Sequence, residues 1–339
     1  MTEAINGVLV TLINFLFGPI MLCVYFGVGI MMTIRLRGVQ FRRFGMAFRE
    51  CVGNIGGKDE NGKEVGQIKS FKALATALSS CVGNGNIVGI AAAIAIGGPG
   101  AIFWMWVASL LGMATKFSEI CLAMHYRIQD EAGNFRGGVM YILSRGMKNK
   151  TLGKILGGAF AVFTVMVSFI SCGALQANTI ANSLNGETGI GIPLWVVAIV
   201  VLVLDGLVVC GGLKKIANVT TVLTPVMALI YIGFSLIIII LHANMIPTAI
   251  YYVVKSAFTG DAAVGGVAGA TMAFAIQKGV SRGVFSNEAG IGSSAIVHAT
   301  AIVDKPTRQS LYGIIEVFFD TMVICTVTSL LILTTGVWN

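Results

Sequence analysis

Two stretches of polar and glycine residues interrupt segments otherwise apolar enough to cross a membrane. The first is Ser79-Ser80-Cys81-Val82-Gly83-Asn84-Gly85-Asn86-Ile87-Val88-Gly89, and the second is Phe274-Ala275-Ile276-Gln277-Lys278-Gly279-Val280-Ser281-Arg282-Gly283. The chemistry of such residues is binding rather than bond-making. Gly83 and Gly85 have no Cβ, so the chain can unwind there and free its N–H and C=O groups. In lipid every such group needs a partner, so unwound backbone survives only where it lines a cavity or holds something. N–H groups at the start of the following half-helix suit a carboxylate, and carbonyls at the end of the preceding one suit a cation. Asn86 adds a hard side-chain oxygen of the type sodium takes. The competing reading is a glycine face for close helix packing. Two consecutive Gly-Asn pairs fit it poorly, because each amide must be satisfied in lipid. Two interrupted helices in comparable positions of two halves mark the substrate and ion site of a secondary transporter.

The other polar residues divide between glue and ligand. Gln176 and Asn178 lie in an apolar span, where either interhelical hydrogen bonding or ligand contact would account for them. Lys116 and Glu119 stand one turn apart and are expected to pair locally. Glu316 and Asp320 share a helix face at i, i+4, as do Lys278 and Arg282 on the preceding span. A structural cross-helix cluster of these four charges is expected. Asp205 stands alone; a packed and paired side chain is expected, with a proton-sensitive coupling site as the alternative. His125, His242 and His298 are far apart without metal-ligand spacing and read as ordinary interface residues. No His, Asp or Glu cluster has hydrolytic or metal spacing, which argues against a membrane-embedded enzyme. The seven cysteines are odd in number and mostly within apolar runs, so they read as small hydrophobes rather than a disulfide or zinc framework.

Positioning these groups requires membrane helices. The 339 residues are 56% hydrophobic and 11% charged, against about 25% charged in a soluble globular protein, and mean hydropathy is +0.86. An all-α integral membrane protein follows. Eight spans are expected, at 8–34, 71–96, 101–125, 156–184, 192–212, 217–241, 262–302 (broken) and 309–336, each with the ~20 apolar residues a crossing needs. The net charge of +8 does not mark a nucleic-acid binder, because most of the 23 basic residues fall in four alternate connections. The positive-inside rule places those connections in the cytoplasm and both termini outside. No Lys or Arg precedes residue 35, so a cleaved signal peptide is not expected. The segment 41–49 mixes aromatics with arginines, as an interfacial amphipathic helix on an anionic leaflet or as a solvated basic loop. Residues 56–63 read as an exposed turn-rich segment, and short interfacial helices are expected around 139–143 and within 242–262.

Longer motifs carry a resemblance. Gly97-Gly98-Pro99-Gly100-Ala101-Ile102-Phe103-Trp104-Met105-Trp106, the preceding Gly-x-Gly-Asn-Ile element, Gly112-Met113-Ala114-Thr115-Lys116-Phe117-Ser118-Glu119 and Phe285-Ser286-Asn287-Glu288-Ala289-Gly290-Ile291-Gly292-Ser293-Ser294-Ala295 together resemble the alanine or glycine:cation symporter family over essentially the whole chain. The resemblance implies a leucine-transporter-like fold: an extra N-terminal helix at 8–34, a five-helix repeat over 71–241, and the start of an inverted second repeat over 262–339. It further implies that N–H groups of Asn84 and Gly85, beside Gly83, bind the carboxylate of a small amino acid, alanine or glycine. Asn86 would ligate sodium, and carbonyls near Ser79 and Val82 would serve a second sodium. Gln176 would face the same cavity. Phe274 would close over the substrate from outside and Gln277 would contact it, with Gly279 beside them as a further substrate-binding residue at the second break. Sodium is the implied coupling ion, with no other cofactor and no nucleic acid. Asn84 departs from the Thr more usual in the family and alters pocket volume. The family has about three further spans. A non-transporting partial subunit that needs a companion chain is therefore the alternative to a symporter in the cell's inner (plasma) membrane.

Overall fold

The computed structural model describes residues 7, 15, 18, 20–53, 67–168, 173–185, 191–259 and 272–338. Almost all of this is helix. In chain order the helices are α1 (Met21–Arg35), α2 (Val39–Arg42), α3 (Phe44–Gly53), α4 (Ser70–Cys81), α5 (Asn84–Gly97), α6 (Gly100–His125), α7 (Val139–Gly146) and α8 (Lys150–Val167). There follow α9 (Gly173–Asn185), α10 (Leu194–Val209), α11 (Gly212–Leu241), α12 (Ile246–Thr259), α13 (Met272–Asn287), α14 (Ser293–His298), α15 (Pro306–Val317) and α16 (Thr326–Thr335). A π-helical turn, Phe318–Cys325, joins the last two. Two short strand pairs tie connections together. Ile68–Lys69 runs parallel to Ala301–Ile302, and Ile128–Gln129 runs antiparallel to Phe135–Arg136. Arg127 donates to the carbonyls of Ala299 and Ala301 and stacks 4.2 Å from the Phe135 ring, pinning one connection to the other.

Helix α6 is the hub. It packs against α13, α15, α12 and α1, and its contact faces are cut small: Ala101, Ala108, Ala114 and Ala123 are fully buried. Small residues let backbones approach without a hydrophobic drive between helices in lipid. At Gly279 the approach is so close that a Cβ would stand 2.1 Å from the Ala101 carbonyl oxygen. The outer surface is the reverse, with Leu202 72%, Leu229 71% and Phe234 69% exposed. Apolar surface on that scale suits contact with acyl chains, not water.

Four helical segments are long and apolar enough to cross a membrane: Gly100–His125, Lys150–Val167, Gly212–Leu241 and Pro306–Thr335. The pair Ser70–Cys81 and Asn84–Gly97, bent by 40°, makes up to five. Met21–Arg35 and Leu194–Val209 are apolar but shorter. The described residues are therefore those of a predominantly helical, multi-pass membrane protein, with up to five full-length crossings among them; the expected spans 8–34, 156–184 and 262–302 each include residues outside the described ones. The expected 156–184 span corresponds to α8 and α9, with 169–172 outside the described residues. The expected interfacial pieces form helices: α2 and α3 near 41–49, α7 near 139–143, and α12 within 242–262. The turn-rich segment 56–63 lies outside the described residues.

One expectation is corrected. The second break is not at 274–283, which is continuous helix within α13. The chain leaves helical geometry at Glu288–Gly292, where Glu288, Gly290 and Gly292 take positive φ values of 54°, 88° and 93°. Gln277, Lys278 and Ser281 stay helical because the glycines around them serve packing on α6 rather than unwinding.

Candidate functional site around the two breaks

The first break is short. Only Val82 and Gly83 separate α4 from α5. Its freed donors are met by side chains: Gly83 N–H donates to Asn86 Oδ1 at 2.9 Å and Asn84 N–H to Gln176 Oε1 at 3.3 Å. Helices α5 and α13 run antiparallel, so Lys278 lies against Gly97 and Arg282 against Gly89. One turn further, Phe285 and Ser286 come level with Gly85. The two breaks therefore meet at the same depth.

A fully buried polar cluster lies behind this junction. Asn86 Nδ2 donates to Asp320 Oδ1 at 2.7 Å and to Ser286 Oγ at 2.9 Å. Ser286 and Thr321 hydroxyls donate to Asp320 Oδ2 at 2.6 and 2.9 Å, and Asn287 Nδ2 donates to Thr321 Oγ1. Asn86, Asn287 and Asp320 are each 0% exposed. Asp320 projects from the π-helical turn, a distortion that often accompanies functional sites. Its oxygens are held by neutral donors.

A second buried cluster fixes the far break. Lys116 Nζ lies 3.1 Å from Glu316 Oε1 and donates to the Asn287 carbonyl at 3.0 Å and Ser294 Oγ at 2.6 Å. Ser294 Oγ and His298 Nε2 reach the two Glu316 oxygens at 2.6 and 3.1 Å, and His298 Nδ1 meets Gln309 at 2.7 Å. Glu119 accepts from the Gly290 N–H at 3.2 Å. Helix α6 thus grips both ends of the break from one face.

On the open side of the junction is a cavity of about 360 Å³ lined by residues that include Ser80, Gly85, Gln176, Phe285 and Glu288. A largely apolar pocket with a few convergent polar groups is the usual form of a small-molecule site. Gly85 and Gln176 both line it; Gly83 is against Gln176, with Asn84 and Asn86 beside it. Ser79 and Val82 sit at the end of α4, where the Ser79 hydroxyl donates to the Thr76 carbonyl. Phe274, Gln277 and Gly279 are not brought to the break. They lie on α13 toward the C-terminal end of α5, with Phe274 under the Lys278 ammonium.

Four further expectations are corrected. Glu316 and Asp320 do not pair with Lys278 and Arg282, because that face of α13 turns to the glycines of α5. Lys116 pairs with Glu316 rather than Glu119, because α15 packs directly on α6. His298 is a buried partner of Glu316, not an interface residue. Asp205 is exposed on α10 rather than packed and paired. Ser286, Asn287, Thr321 and Glu288 were not singled out as site residues. Ser286, Asn287 and Glu288 stand within the Phe285–Ala295 motif, which marks the family but assigns them no role, and Thr321 has no signal beyond following Asp320.

The sodium:alanine symporter family matches residues 2–339. An uncharacterized transporter of Haemophilus influenzae is 43% identical over 336 residues, 99% of this chain and 71% of that protein. An uncharacterized transporter of Bacillus subtilis, YflA, is 41% identical over 96% of this chain and 67% of its own length. Sodium/alanine symporter AgcS of Methanococcus maripaludis is 40% identical over 326 residues, 96% of this chain and 70% of its own length. This chain belongs to the sodium:alanine symporter family, a family of transporters.

Proposed function

We propose that this chain carries the site for sodium-coupled symport of a small neutral amino acid, alanine or glycine, into the cell by alternating access. The observation that carries the reading is the meeting of two helix breaks at one depth, with a cavity on one side and the Asn86–Asp320 cluster on the other. The start of α5 offers its N–H groups and positive dipole end to the substrate carboxylate. Asn86 Oδ1 caps Gly83 and keeps a second lone pair for sodium, and Asp320 supplies the negative charge a desolvated cation needs. Carbonyls at the end of α4, near Ser79 and Val82, provide hard oxygens for a second sodium. Phe285, with Phe160 and Phe163, is among the aromatics that line the cavity, whereas Phe274 is not among the lining residues. The arrangement suits a leucine-transporter-like inverted repeat in the inner membrane with the basic connections on the cytoplasmic side, where α4 and α14 tilt about the breaks.

The reading is tested by radiolabelled alanine and glycine binding and uptake in proteoliposomes, with an inward sodium gradient and with sodium replaced by choline. Sodium-dependent binding saturating with alanine is expected. Equal binding without sodium would overturn the coupling.

A further inference from the structure

The cavity holds one carboxylate that the proposed function leaves idle. Glu288 lines it, together with Ser80, Gly85, Gln176 and Phe285. Its backbone is in the left-handed region at φ 54°, where a residue with a Cβ pays a steric penalty and glycine would not. Glycine fills that conformation at positions 290 and 292 of the same break, but not here. The strain aims a carboxylate into the cavity. Ser293 donates to Glu288 Oε2, and Ser80 lines the same cavity. The donor is neutral. Among the described residues no Lys, Arg or His nitrogen lies within ion-pair distance of Glu288, whereas the nearby Lys116 is committed to Glu316.

Two charges of opposite preference thus border one apolar space. The α5 start, at Gly85, favours an anion, and Glu288 favours a cation. Phe160, Phe163, Val167 and Leu175 close the remainder. That pattern complements a zwitterion with a short apolar side chain. Resting on the symport reading above, we propose that Glu288 is a specificity-determining residue: its carboxylate receives the α-ammonium group of the substrate. The Ser293 hydroxyl orients the carboxylate. Because Ser293 starts α14 while Ser80, near the end of α4, lines the same cavity, ammonium binding also draws the two breaks together. Carboxylic acids without an amino group are then rejected, since binding them leaves Glu288 facing a desolvated space without a counter-charge.

The test measures alanine binding to the 339-residue chain in nanodiscs at fixed sodium, by scintillation proximity, for wild type, Glu288→Gln and Glu288→Asp. Loss of a charge-assisted contact should weaken alanine on the order of 10- to 100-fold in Glu288→Gln, with Glu288→Asp retaining a larger part of the affinity. Binding of ²²Na without alanine should stay within about twofold of wild type. Unchanged alanine affinity in Glu288→Gln would sink the assignment. An equal loss of sodium binding in the absence of alanine would also overturn it, giving the carboxylate to the coupling ion instead. Should Glu288→Gln fail to fold, competition in wild type decides: propionate should compete at least about tenfold more weakly than alanine, and equal competition refutes the ammonium contact. If wild type binds no alanine at any sodium concentration, the symport reading itself fails, a result distinct from all of these.

Discussion

Glu316 and Asp320 stand one turn apart on the same helical face, both 0% exposed, yet they are treated in opposite ways. Glu316 has its counter-charge built in, at Lys116 Nζ 3.1 Å away, with His298 and Ser294 filling its remaining positions. Asp320 is held by Asn86, Ser286 and Thr321, all neutral. A buried carboxylate with a fixed ammonium partner is a latch: here it ties α15 to α6 and to the carbonyl that ends α13. A buried carboxylate with only neutral donors keeps its charge available to a mobile cation. One helical face therefore carries a latched charge and, in the reading proposed above, a working one.

The largest expected effect breaks the latch. Lys116→Met removes one partner of a fully buried pair and leaves Glu316 uncompensated, a loss of about 3–5 kcal/mol. Thermal unfolding in detergent should show it, and Lys116→Met with Glu316→Gln should recover a large part. A melting temperature unchanged in the single variant would mean that Glu316 is not held by Lys116.

Asp320→Asn should behave differently. It removes no fixed counter-charge, so the fall in stability should be smaller than for Lys116→Met, while sodium affinity falls on the order of 10- to 100-fold. Parallel ²²Na binding and melting curves check this. If the two variants lose stability equally and sodium binding equally, the division between latch and working charge does not exist.

The smallest effect concerns the first break. Gln176→Ala deletes the acceptor for the Asn84 N–H, a neutral hydrogen bond worth about 0.5–1.5 kcal/mol. Stability should drop by no more than that, and alanine affinity should change by less than about tenfold. A complete loss of binding would make Gln176 a direct substrate ligand.

The sequence made one half of this site legible and hid the other. Gly83, Asn84, Gly85 and Asn86 announced a break because glycine and amide residues have no place in an uninterrupted apolar helix. Gly279 and Gly283 gave the same signal falsely. They are small because α6 passes against them, with the Ala101 carbonyl where a Gly279 Cβ would be, and sequence alone does not separate a glycine that unwinds from one that packs. The true second break begins with Glu288, a residue type with no preference for positive φ. Helix-face arithmetic paired Glu316 with Asp320 correctly but chose Lys278 and Arg282 as partners. Spacing fixes which residues share a face, not which neighbour that face meets.

The central claim is that the first break holds sodium through Asn86. Asn86→Ala in the sodium titration of alanine binding tests it most directly. The account predicts a sodium half-saturation raised on the order of 10- to 100-fold, because one ligand to a desolvated ion is worth at least about 1.5–3 kcal/mol. Alanine affinity at subsaturating sodium should fall with it and be partly restored by high sodium, since the two ligands are linked. An unchanged sodium half-saturation, with only the melting temperature lowered, would make Asn86 the cap of Gly83 and the support of Asp320 and nothing more.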